Sequence, residues 1–84
     1  MNYTVTAVKA LENHTLLLTF KTGEKKVFDM KPYLNGGVFE ALKDKSLFKT
    51  VRVSFDTIEW ENGADIDPEV LYKDSHLQST LATH

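Results

Sequence analysis

His14-Thr15-Leu16-Leu17-Leu18-Thr19-Phe20-Lys21-Thr22-Gly23-Glu24-Lys25-Lys26-Val27-Phe28-Asp29-Met30 is the stretch that decides the fold. From His14 to Phe20 the residues alternate, with Leu16, Leu18 and Phe20 on one face and Thr15, Leu17 and Thr19 on the other. That period of two is a strand with one buried side. Lys21-Thr22-Gly23-Glu24 then reads as a hairpin turn, in which Gly23 takes the positive φ that a side chain would oppose. Lys25 to Met30 returns as a second strand, with Lys26, Phe28 and Met30 on one face and Lys25, Val27 and Asp29 on the other. Upstream, Tyr3 to Ala10 is rich in Thr and Val, which favour strands, and places Val5 and Ala7 on one side against Thr4, Thr6 and Val8. The polar turn Glu12-Asn13-His14 joins it to the hairpin, so the first half is an antiparallel meander.

The second half adds shorter elements. Pro32 ends the third strand, Leu34 packs in a short turn, and Asn35-Gly36-Gly37 is a joint. Val38, Phe39 and Leu42 mark a helical face, and Asp44 caps a second helical turn holding Leu47 and Phe48. Val51, Val53 and Phe55 alternate with Arg52 and Ser54, which predicts a fourth strand with Phe55 on its apolar face. Asp56-Thr57 reads as a tight turn, followed by a fifth strand over 57–61 with Ile58 and Trp60 on one side. After the turn pair Asn62-Gly63, Asp67-Pro68 reads as an N-cap followed by Pro at the first helical position, opening a helix with Val70, Leu71 and Tyr72. The expectation is an α+β fold with an antiparallel sheet, in the order β-β-β-α-β-β-α, with two small helical elements. Residues 1–75 form the single domain and residues 76–84 a flexible C-terminal tail.

Composition narrows the function classes. The 84 residues contain no Cys, which removes disulfides, thiolate metal sites and Cys nucleophiles. The longest apolar run, Leu16-Leu17-Leu18, is far short of the roughly 20 residues that span a bilayer. The opening residues lack the basic and apolar regions of a secretory signal, so a cytoplasmic location is expected. The net charge of -2 conceals a split. Residues 1–52 hold nine bases against five acids, a balance of +4, whereas residues 53–84 hold one base against seven acids, a balance of -6. Such a division fits either differently solvated loops or an acidic face for a cationic partner.

Motifs for chemistry are missing. No Ser lies in a G-x-S-x-G elbow, and none of the four glycines belongs to a phosphate-binding loop. The acid-rich stretch 56–69 fails the EF-hand pattern: with Gly63 at the sixth position, Ile58 and Trp60 fall where oxygen ligands are required. Lys21, Lys25 and Lys26 beside Phe20 and Phe28 could grip a single-stranded nucleic acid, but both Phe residues belong to the apolar faces and the pI is about 5.8. No catalytic residue, metal ligand or cofactor site is expected. Trp60, the single tryptophan, either plugs the core beside Ile58 or presents its ring as an anchor for a partner.

An ordered series of residues resembles the bacterial domain of unknown function 2442 family. It runs Leu16-x-Leu18-x-Phe20, Gly23-Glu24, Phe28-Asp29-Met30 before Pro32, Phe39-x-x-Leu42, and Phe48 before Val51. It ends with Ile58-x-Trp60, Asn62-Gly63-Ala64-Asp65 and Pro68-Glu69-x-Leu71-Tyr72. The resemblance spans residues 16–75 and implies a compact α+β domain. Some relatives carry a helix-turn-helix region after this domain. Nine residues follow Ser75 here, too few for one, so DNA binding is not expected. Small members look like neighbours of toxin-like proteins in bacterial genomes, which implies an antitoxin-like role with a protein partner. The expected function is a non-enzymatic protein-interaction module, an antitoxin-like partner of a small basic protein, with Trp60, Asp65 and Tyr72 as the candidate partner surface. The alternatives are a regulator binding nucleic acid or a small ligand, and a small enzyme. The open edges of a sheet also allow a homodimer.

Overall fold

Alternation in the hairpin translates directly into burial: Leu16, Leu18 and Phe20 are buried, as are Lys26, Phe28 and Met30 beside them. The structure is a computed structural model in which residues 3–77 are described. Strands β1 (Val5–Leu11), β2 (Thr15–Phe20) and β3 (Lys25–Asp29) form the antiparallel meander, with Leu18 opposite both Val8 and Lys26. The α+β class holds.

Two local departures change the picture. In β1 the register passes from Val5↔Phe20 to Ala7↔Thr19, so an extra residue, Thr6, is accommodated as a bulge. A bulge reverses the facing of everything after it. Val5 is buried, but Val8 and Ala10 then face the core and Ala7 is exposed. The expected pairing of Val5 with Ala7 on one face is corrected accordingly. The second departure is at the other end of the chain. His76 and Leu77, expected in the tail, form β7 and pair with Val27 and Lys26 of β3. The remainder of that expected tail, residues 78–84, lies outside the described residues.

The helical segments follow their caps. Residues Gly37–Lys43 form a 3₁₀ segment, and Asp44 caps α1 (Lys45–Phe48) by accepting from the Ser46 N–H at 3.1 Å. Asp67 caps α2 (Pro68–Asp74) by accepting from the Glu69 N–H at 2.9 Å. Each cap satisfies one of the backbone donors that a helix start leaves unpaired.

The expected single sheet is replaced by two. β1, β2, β3 and β7 form one, in the order β1-β2-β3-β7. The second consists of β4 (Arg52–Ser54), β5 (Thr57–Glu59) and β6 (Asp65–Ile66), in that order. Strand β6 lies in what reads as an acidic turn, and two residues are too few for periodicity to reveal. A backbone bond from the Val5 N–H to the Asp56 carbonyl, 3.0 Å long, ties the two sheets where β1 begins. One core serves both: Leu16, Leu18 and Phe28 from the first sheet join Ile58 and Ile66 from the second, with Leu42, Phe48, Trp60 and Leu71.

Candidate functional site

The β4–β5 hairpin is closed by the shortest connection available. Arg52 pairs with Glu59, Val53 with Ile58 and Ser54 with Thr57, which leaves Phe55 and Asp56 as the two turn residues. Phe55 has φ of 55°. Tight hairpins need such left-handed backbone, and Gly, Asn and Asp normally supply it. Here a large aromatic ring occupies the position and is 98% exposed. Turn geometry does not favour Phe at this place, and burial within the chain does not compensate for it.

The hairpin was expected to turn one residue later, with Phe55 ending the apolar face of β4. That expectation is corrected: Val53 stays against the core, while Phe55 leaves it. The missed signal is Asp56. As a turn residue it fits the second position of a two-residue loop as well as the first, and that shift of one residue decides where Phe55 points.

On the outer face of this sheet the register aligns Arg52, Glu59 and Asp65 in one row across the three strands. Arg52 reaches Glu59 at 3.4 Å. Asp65, directly opposite Glu59, has no hydrogen-bonding or ionic side-chain partner among the described residues. Two acids facing each other across a pair of strands oppose the pairing. Arg52 is engaged with Glu59 alone, which leaves the Asp65 carboxylate uncompensated, and a further cation placed between Glu59 and Asp65 would relieve the repulsion. A depression of about 140 Å³ lies at this point, lined by Ser54, Phe55, Thr57, Ile58, Glu59 and Asp65. The Thr57 hydroxyl beneath it donates to the Ile66 carbonyl, which holds the third strand in place.

The three residues nominated as a partner surface separate. Asp65 is exposed and belongs to this acidic row. Trp60 is fully buried, which removes it from any surface. Its indole N–H donates to the Phe48 carbonyl at 2.9 Å, and its ring lies 6.0 Å from that of Phe48. Tyr72 is half-buried in a different cluster. Its hydroxyl donates to Glu24 at 2.8 Å, and its ring meets Phe20 at 5.1 Å. The bond to Glu24, aided by partial burial, raises the Tyr72 pKa above the usual phenol value.

Lys26 belongs to that cluster. It is 8% exposed, its ammonium donates to the Tyr72 carbonyl at 2.6 Å, and it lies 3.8 Å from the centre of the Tyr72 ring. The carbonyl end of α2 and the face of an aromatic ring both favour a cation. Of the three hairpin lysines that suggested nucleic-acid contact, Lys26 is thus turned inward, whereas Lys21 and Lys25 are exposed.

No curated protein and no solved structure matches the chain. A family model described as "Protein of unknown function (DUF2442)" matches residues 5–76, from the first residue of β1 to the first of β7. With nearly its whole length matched, from the bulged first strand through the Phe55 hairpin to the end of α2, the chain belongs to the DUF2442 family of proteins of unknown function.

Proposed function

We propose that this chain is a protein-interaction module, rather than an enzyme, and that its β4–β5 hairpin docks onto a basic partner protein. The observation that carries the reading is Phe55, a fully exposed aromatic held at a left-handed turn position. Aromatic anchors that enter a partner's apolar pocket supply most of the energy of an interface, and surrounding charges set orientation and rate. Asp56, Glu59, Glu61 and Asp65 give this end of the molecule its negative sign, and the depression beside Phe55 has room for one cationic side chain from the partner. Neutralisation of a small basic protein, in the manner of an antitoxin, is the form of this function that the charge layout favours.

The test is affinity capture from the native host with the immobilised chain, compared with Phe55→Ala and with the Glu59→Gln/Asp65→Asn pair. The expected result is a basic protein retained by the parent chain, lost with Phe55→Ala, and released at lower salt by the carboxamide variant. A captured protein that both variants retain equally well would move the interface elsewhere. Capture of nothing at low salt would remove the reading.

A further inference from the structure

A larger concavity lies away from the Phe55 hairpin, between the 3₁₀ turn Glu12–His14 and helix α1. Its volume is about 680 Å³, within the span of small-molecule sites, roughly 300–1,000 Å³. Ala10 and the exposed Leu11 supply an apolar wall, with the buried Phe48 behind it. Lys45 and Lys49, one helical turn apart, supply two ammonium groups. Both are exposed, and neither has a hydrogen-bonding or ionic side-chain partner among the described residues. Glu12 is the one acid in the lining.

The floor of this cleft is built at a cost in backbone strain. Asn13 and His14 both adopt left-handed conformations, with φ of 61° and 55°. Consecutive residues of this kind persist only where the surroundings hold them. His14 is held on two sides. Its Nε2 lies 3.1 Å from the Lys43 carbonyl, and its ring meets Phe48 edge-on at 5.0 Å. A carbonyl only accepts, so Nε2 carries a proton and Nδ1 remains as the ring's other polar atom. The Asn13 carbonyl is held in turn by the Lys31 ammonium at 3.0 Å. The turn is therefore fixed against the helix, and the cleft exists before any ligand arrives.

We infer that this cleft binds a small organic anion, a carboxylate or phosphate monoester carried on a flat apolar body. The anionic group sits between Lys45 and Lys49, and the body lies against Ala10 and Leu11. Two cations against one acid set the sign of the ligand, and the apolar wall distinguishes it from a bare inorganic ion. This site is independent of the hairpin, so Phe55→Ala leaves it unchanged.

The experiment is a heteronuclear NMR titration of the whole chain with phenyl phosphate and with benzoate, with inorganic phosphate and benzylamine as controls. The expected result is saturable movement of the amide signals of residues 10–14 and 45–49 by one or both organic anions, and none by benzylamine. The arm that saturates first distinguishes phosphate from carboxylate. Lys45→Ala/Lys49→Ala, at two exposed positions, should weaken binding at least about tenfold, and Glu12→Gln should tighten it about threefold through loss of a like charge. A gain in affinity cannot arise from misfolding. The inference is overturned if neither organic anion saturates, if benzylamine binds as well, if inorganic phosphate binds as tightly as phenyl phosphate, or if the lysine double variant binds unchanged.

Discussion

Phe55 sets two requirements against each other. A left-handed conformation costs a non-glycine residue about 1–2 kcal/mol, least for Asn, whose side chain can bond to its own backbone. At 98% exposure the ring recovers none of that through burial in the chain itself. Phe55→Asn should therefore raise stability by about 0.5–1 kcal/mol while abolishing partner capture. Urea unfolding measures the first and the capture assay the second. A lower midpoint would mean that the ring packs against the folded chain after all. At this scale the sequence is readable wherever one residue answers one local need. Asp44 and Asp67 do cap helices, and Gly23 does take a positive φ, at 95°. Phe55 escapes such reading because Val51, Val53 and Phe55 form a perfect alternation, and alternation carries no mark of where it stops. Trp60 was ambiguous for a different reason: indole suits either a core or an interface, and only the Phe48 carbonyl decides between them.

Among the elements, helix α2 has only seven residues and depends on what grips it. Asp67 holds its start, and Asp67→Ala should cost about 1 kcal/mol in urea unfolding. A loss below a few tenths would show that the neighbouring Pro68 suffices to start the helix. Among the described residues, three long-range hydrogen bonds hold its end: Lys26 on the Tyr72 carbonyl, the Tyr72 hydroxyl on Glu24, and the Tyr33 hydroxyl on Asp74 at 2.7 Å. The bond to Asp74, with some burial, raises the Tyr33 pKa, as the bond to Glu24 raises that of Tyr72. A folded pKa above the unfolded value of about 10 means that these contacts contribute fully below that pH. The contribution is lost as pH rises through the raised values, when phenolates face carboxylates. Lys73, raised by its bond to Glu69, loses its contribution in the same alkaline range. Stability should thus hold across neutral pH and fall steeply above about pH 10, and the Tyr33→Phe/Tyr72→Phe variant should show a shallower fall. Parallel alkaline profiles by circular dichroism would refute the tyrosine clamp. The clamp was invisible in the sequence because its members are 41 and 48 residues apart. What was legible is that Lys26 shares a face with Phe28 and Met30, and that placement is what turns its ammonium inward.

For the molecule as a whole, the decisive fact is that two sheets share one core. The meander is legible because its strands are long enough to alternate and its turns are short. The division into two sheets is not, since strands of two or three residues carry too little pattern to assign a partner. The charge split acquires a place in the fold: the basic half is largely the meander and the α1 region, and the acidic half is the small sheet with α2. Such a division invites the thought that the halves are separate folding units. The core argues otherwise, because Trp60, just beyond β5, is covered by Phe48 and belongs to the same buried cluster as Leu16 and Leu18 of β2. Leu18→Ala, in the centre of the first sheet, should cost about 2–5 kcal/mol, a large share of what a domain of this size has to lose. If the two sheets are one cooperative unit, Trp60 fluorescence beside the second sheet reports that loss in full. Its urea midpoint then moves together with the far-ultraviolet dichroism. A Trp60 transition that stays in place while the dichroism shifts would divide the molecule in two. In that case the acidic sheet, with Phe55 at its tip, would be a separately folding arm rather than one face of a single body.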